Sequence, residues 1–168
     1  MMGRSLGFLP RGVKVFGRRG TESGDGPVIV DRGWGGPIIG SVPKRILVVE
    51  DTANIRRLVV GVLKSRGYDV VESDDGADGW VKATAGGVDL VLLDAMLPRK
   101  TGFEVCSDLK KDARFSGIPV LLLSAVAEEP GSVGLKEKCG ADDFLAKPFR
   151  IQELVERVER LLGPGRRE

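Results

Sequence analysis

Residues 88–98 read VDLVLLDAMLP, with five aliphatic side chains in the first six positions and then a carboxylate, Asp94. A run that is apolar at successive positions, rather than at every second one, has both faces covered, as in an interior strand of a parallel sheet. The carboxylate that ends it needs a partner, because an unpaired buried charge is strongly destabilising.

Outward from this strand the same alternation repeats. KRILVVE (44–50) is a second continuous apolar run. TANIRRLVVGVLKSRG (52–67) then sets Ile55, Leu58, Val59, Val62 and Leu63 at helical spacing and stops at Gly67. YDVVES (68–73) reads as a strand and DGADGWVKATAGG (75–87) as a helix weakened by Gly79. TGFEVCSDLKKD (101–112) reads as a helix, IPVLLLSA (118–125) as a strand, 128–139 as a helix, and DDFLAKP (142–148) as a strand. IQELVERVERLLG (151–163) closes the series as a helix with Ile151, Leu154, Val155, Val158 and Leu162 inward. Five strand–helix units with continuous apolar strands predict a doubly wound α/β fold: a five-stranded parallel sheet flanked by five helices.

Residues 44–163 are therefore expected to form one domain, with a short tail at 164–168. Residues 1–43 hold 11 of the 24 glycines and four of the nine prolines and keep no period, which predicts a flexible extension. They carry six Lys/Arg against three Asp/Glu, while the remainder carries 20 against 21. The basic character permits a weak contact with nucleic acid or acidic lipid, but with so few charges a solvated tail is the favoured reading.

The chain has no histidine, which removes Ser-His-Asp and Cys-His nucleophile chemistry and the usual zinc sites. Cys106 and Cys139 match no metal spacing and suit a reduced, cytoplasmic protein. No apolar run reaches the roughly 18 residues of a membrane span, and Arg11 and Lys14 interrupt any secretory signal.

In doubly wound sheets ligands gather beyond the carboxyl ends of the strands, where strand order reverses. The first strand ends in Glu50-Asp51, the third in Asp94, the fourth in Ser124 and the fifth in Lys147-Pro148. The second, ending in Glu72-Ser73, is expected at the sheet edge. Three converging acids repel unless a cation joins them, and oxygen ligands without histidine point to Mg²⁺, or Mn²⁺. An aspartate beside such an ion, with a lysine and a hydroxyl near, is equipped to attack phosphorus and hold an acyl phosphate. Each part also has a plain reading: Glu50-Asp51 as a helix-dipole turn, Asp94 as a loop cap, Ser124 as a turn hydroxyl, Lys147 as a solvated strand end. Their conjunction at four strand ends is what carries the chemistry.

ILVVED, LVLLDAMLPRKTGFEV, IPVLLLSA and GADDFLAKPF together make residues 44–162 resemble the receiver domain of bacterial two-component response regulators. The resemblance implies strand order 2-1-3-4-5 and Asp94 as phosphoacceptor. It implies Mg²⁺ on Glu50, Asp51, Asp94 and the Met96 carbonyl, Ser124 as switch hydroxyl, Lys147 as the phosphoryl-pairing lysine in a cis Lys147–Pro148 bond, and Phe144 as aromatic switch. A sensor histidine kinase or phosphotransfer protein would supply the phosphoryl group. The response would remodel the face formed by the predicted helix 128–139, the fifth strand and the last helix. Plain core packing is the alternative for Phe144. Met96 and Val126, two residues beyond the phosphoacceptor and the switch hydroxyl, are apolar and imply slow self-hydrolysis. Arg56, Arg57 and Lys64 beside Val60 imply a kinase-docking face on the first helix, or simply a solvated one.

The residue set admits two further readings. A haloacid-dehalogenase-type phosphatase also uses Asp, Mg²⁺, Ser/Thr and Lys, but its D-x-D pair lies on the first strand, whereas Asp94 is on the third and is followed two residues later by Met96. A receiver-like adaptor that never takes phosphate is opposed by the complete residue set. Because the chain runs GPGRRE after Leu162 and ends, the expectation is a stand-alone switch with no DNA-binding domain and no membrane contact. It would be a monomer or a phosphorylation-dependent homodimer, acting on a downstream protein.

Overall fold

The computed structural model describes residues 42–125, 134 and 138–163. The central strand, β3 (Leu90–Asp94), is buried at all five positions. Beside it run β1 (Arg45–Val49), β2 (Asp69–Ser73), β4 (Val120–Ser124) and β5 (Asp143–Ala146), all parallel, in the order β2-β1-β3-β4-β5. Helices α1 (Ala53–Ser65), α2 (Gly76–Thr84), α3 (Gly102–Lys111) and α4 (Ile151–Leu162) cover it.

Alternate strand residues feed two cores, as the period of two demands. Leu47, Val49, Val91 and Leu93 face Ala83 of α2 and Val105, Cys106 and Leu109 of α3. Ile46, Val48, Leu90 and Leu92 face Val59 and Leu63 of α1 and Leu154 and Val158 of α4. Each such side chain removed from water contributes roughly 1.5–3 kcal/mol before chain entropy is counted.

Several expectations are adjusted. In α1 the buried stripe is Val59, Val60 and Leu63, and Leu58 is 54% exposed. The contact line runs one residue off the predicted one, so Leu58 points to solvent and Val60 into the core. Gly79, read as a weakness of α2, is a fit: a Cβ there would sit 2.9 Å from Val49 Cγ1, so glycine lets α2 lie close on β1. Gly102 does the same for α3, where a Cβ would fall 1.9 Å from the Asp94 carbonyl oxygen. The start of α3 is fixed by a capping box in which Thr101 Oγ1 accepts from Glu104 N–H while the Glu104 carboxylate accepts from Thr101 N–H. The 1–43 extension, except Val42 and Pro43, and the 164–168 tail lie outside the described residues. So does the 128–139 helix, except residues 134, 138 and 139.

Candidate functional site at the β1/β3 crevice

From β1 the chain crosses to β2 on one side, and from β2 it passes back over β1 to β3 on the other. The connections leaving β1 and β3 therefore diverge, and a crevice opens between their carboxyl ends. Val49 pairs with Leu93, so Glu50 and Asp94 emerge side by side. Asp94 pairs with Leu123, and Ser124 with Ala146, which sets Ser124 and Lys147 one step along on the next two strands. Lys147 N–H donates to the Ser124 carbonyl at 2.9 Å, and the Lys147–Pro148 bond is cis.

Glu50, Asp51 and Asp94 each offer a carboxylate oxygen, and these oxygens lie within 4.8 Å of one another. Glu50 and Asp94 are buried and Asp51 is exposed. The Lys147 ammonium bridges the two buried acids, 2.6 Å from Glu50 Oε2 and 2.8 Å from Asp94 Oδ2. Asp94 Oδ1 accepts from Met96 N–H at 3.0 Å, and Glu50 Oε1 accepts from Thr52 N–H at 3.1 Å. Burial pushes the Glu50 carboxyl above the usual carboxylate range, with the neighbouring Asp94 adding to it and Lys147 opposing. Burial works to lower the Lys147 ammonium, but its hydrogen bonds to Asp94 and Glu50 outweigh that and leave it above its ordinary value. One ammonium among three carboxylates leaves an excess of negative charge in a partly dry crevice. Oxygen-only donors of this charge and spacing fit a hard divalent cation such as Mg²⁺.

Glu50, Asp51, Asp94 and Lys147 thus meet at one point. Ser124 is fully buried at the end of the adjoining strand. Met96 is 58% exposed, and it is its backbone that bonds to Asp94. Phe144 lies lower on β5, opposite Leu122, half-buried against the core on the α2–α3 side. Val126 lies outside the described residues. Reading the sequence missed Arg56, whose guanidinium turns back to donate to the Glu50 carbonyl at 2.7 Å. The sequence puts it on the exposed helix face, and its spacing from Glu50 is the available signal, since it places Arg56 in the first turn of α1 above that carbonyl.

Residues 46–159 match the family model of the response regulator receiver domain, and the chain belongs to that family. It is 42% identical over 118 residues to the DNA-binding dual master transcriptional regulator RpaA of Synechocystis, covering 70% of this chain and 48% of that protein. It is 38% identical over 128 residues to the phosphate regulon transcriptional regulatory protein PhoB of Pseudomonas aeruginosa, covering 74% and 55%. The receiver domain of a sensor histidine kinase from P. aeruginosa, whose structure has a magnesium ion coordinated in the active site cleft, superposes with a TM-score of 0.67 at 29% identity, covering 73% of this chain and 99% of that one. The fold is the flavodoxin-like receiver fold, and the protein is a receiver of two-component signal transduction.

The chain spans about half the length of the curated relatives it matches. This corrects the expected partner set of a stand-alone switch acting on a downstream protein with no DNA-binding output. RpaA is a DNA-binding regulator and PhoB a transcriptional one, and the matched portion is about half of each. Nothing about output follows from where the given sequence stops. The described residues hold the receiver fold and no DNA-binding fold. No helix among them is long and apolar enough to cross a membrane.

Proposed function

We propose that Asp94 accepts a phosphoryl group from the phosphohistidine of a sensor histidine kinase and that the acyl phosphate switches the domain between two states. The observation that carries this reading is the Lys147 ammonium held between Glu50 and Asp94 within a three-carboxylate cluster at the β1/β3 crevice. Glu50, Asp51, Asp94 and the Met96 carbonyl would hold Mg²⁺. When bound, the ion supplies positive charge to the transferring phosphoryl oxygens.

The chain's own residues supply the rest. Asp94 Oδ1 is oriented by Met96 N–H, leaving the carboxylate presented rather than folded into the loop. Lys147, already an ammonium between two acids, would shift its bond from the carboxylate to a phosphoryl oxygen, and Ser124 would donate its hydroxyl to another. Movement of Ser124 would draw Phe144 inward and remodel the face of β5 and α4 together with the segment before them, a local charge change biasing a two-state element. Receiver domains are signalling switches. This one would take part in phosphoryl transfer and slow self-dephosphorylation without being a turnover enzyme. Met96 and Val126 carry no group that could orient an attacking water, so the phosphorylated state would be long-lived. The phosphatase reading is opposed by the third-strand position of Asp94 and by Met96 two residues on.

Incubation with acetyl phosphate and Mg²⁺, followed by intact mass, tests the reading. One phosphoryl group should add to the parent chain and none to Asp94→Asn. No gain in the parent, with Mg²⁺ binding verified, would overturn it.

A further inference from the structure

The loop from Ala95 to Thr101 leaves the phosphoacceptor and returns to α3. At its base, Ala95 N–H donates to the Leu123 carbonyl at 2.8 Å and Gly102 N–H to the Ala95 carbonyl at 3.0 Å. Its far side is fastened to α2. The Arg99 guanidinium lies 2.6 Å from the carboxylate of Asp75, which is 3% exposed although Arg99 itself is 70% exposed. Arg99 has φ +66°, the one positive value among the described non-glycine residues, in a region L side chains seldom adopt. Lys100 presses its carbonyl against Gly76, where a Cβ would come within 1.7 Å, and sets its ammonium 4.7 Å over the Trp80 ring. Asp75 is at the same time the N-cap of α2, accepting from Asp78 N–H at 2.8 Å. An unusual backbone held by an ion pair to a buried carboxylate, in the loop whose Met96 N–H orients Asp94, indicates function rather than packing alone.

We propose that Arg99 and Asp75 are positioning residues: their ion pair latches the 95–101 loop to α2 and thereby fixes the Met96 backbone and the Asp94 carboxylate in the geometry that binds the cation. The proposal rests on the Mg²⁺ reading above. It implies that the edge of the sheet at Asp75, far from Asp94 in sequence, sets cation affinity. It also makes Trp80 a reporter of the loop, because Lys100 stacks on its ring.

The variants follow from the geometry. Asp75→Asn keeps an oxygen for the helix cap but loses the charge that holds Arg99. Arg99→Gly removes the latch and also suits the positive φ, so the fold is not compromised. In a Trp34→Phe background, Mg²⁺ is titrated against Trp80 fluorescence, and amide exchange at Met96 is measured without metal. Each single variant should weaken Mg²⁺ about tenfold, the lower end for residues that orient metal ligands. The double variant should weaken it no further, since one pair is broken twice over. Phosphoryl incorporation from acetyl phosphate should slow at low Mg²⁺ and recover at saturating Mg²⁺, and Met96 exchange should quicken in both variants. Parent-like Mg²⁺ affinity in both single variants, additive losses in the double, or unchanged Met96 exchange would each overturn the latch. Failure of the parent to bind Mg²⁺ would instead overturn the functional reading, and the exchange measurement would still decide whether the latch orders the loop.

Discussion

Replacing Lys147 by methionine, which keeps most of the side-chain volume and removes the charge, tests the electrostatics of the crevice. In the parent, Nζ lies 2.6 Å from Glu50 Oε2 and 2.8 Å from Asp94 Oδ2, and the two acids are 1% and 9% exposed at the side chain. At an effective dielectric of about 20, each contact corresponds to roughly 6 kcal/mol of gross attraction, most of it cancelled by desolvation. The measurable quantity is the loss on removing one partner of a buried pair, about 3 kcal/mol. For a domain of this size that is on the order of 12 °C in Tm, measured by calorimetry in EDTA at pH 8. Two dependences identify the cause. Glu50, already raised by burial and by Asp94, rises further without Lys147. A carboxyl raised on folding disfavours the fold above its folded pKa and loses that penalty as pH falls toward its unfolded value, so the deficit should shrink between pH 8 and 5. Mg²⁺, which would replace the missing positive charge, should restore more stability to the variant than to the parent. A variant as stable as the parent at pH 8 without metal, or a deficit indifferent to both pH and Mg²⁺, would refute this account of the site.

Further outcomes concern the site and its supports. Met96→Asn, which adds a group able to orient water, should shorten the phosphoryl half-life several-fold from a parent value of minutes or more, as followed by intact mass after removal of donor. Gly79→Ala should destabilise the domain by about 1–3 kcal/mol in urea unfolding, because the clash with Val49 exceeds the gain of roughly 1 kcal/mol in helix propensity. Asp143 is subject to burial, which raises its carboxyl, but the Phe144 N–H and the Arg157 and Arg160 guanidiniums outweigh this and hold it below the usual range. Its stabilisation is therefore present above about pH 4 and lost as pH falls through the lowered folded value. Asp143→Asn should cost about 1–3 kcal/mol at pH 7 and show a shallower acid limb by circular dichroism.

The sheet was legible because its information is local. The uninterrupted apolar runs at 46–49, 90–93 and 120–123 announce parallel strands in a doubly wound sheet, while the strand order 2-1-3-4-5 was legible only through the family resemblance. Glu50, Asp51, Asp94, Ser124 and Lys147 were legible for the same reason, each standing where an apolar run stops. The tilt of α1 across the sheet was not, since Leu58 and Val60 are both apolar and only packing decides which is buried. Arg56 on the Glu50 carbonyl is signalled only by its place in the first turn of α1, and Arg99 on Asp75 leaves no periodic trace, because reach across a loop depends on backbone geometry. Output was illegible altogether: a receiver's residues specify the switch, not what it is attached to.

The site of phosphorylation is the most direct test of Asp94 as phosphoacceptor. After incubation with acetyl phosphate and Mg²⁺, borohydride reduction converts an aspartyl phosphate to homoserine, and peptide mass mapping locates it. Conversion confined to Asp94, dependent on Mg²⁺ and blocked in a Glu50→Gln, Asp51→Asn variant, is the predicted result. Conversion at another carboxylate, or none at Asp94 while Mg²⁺ is bound, would contradict it.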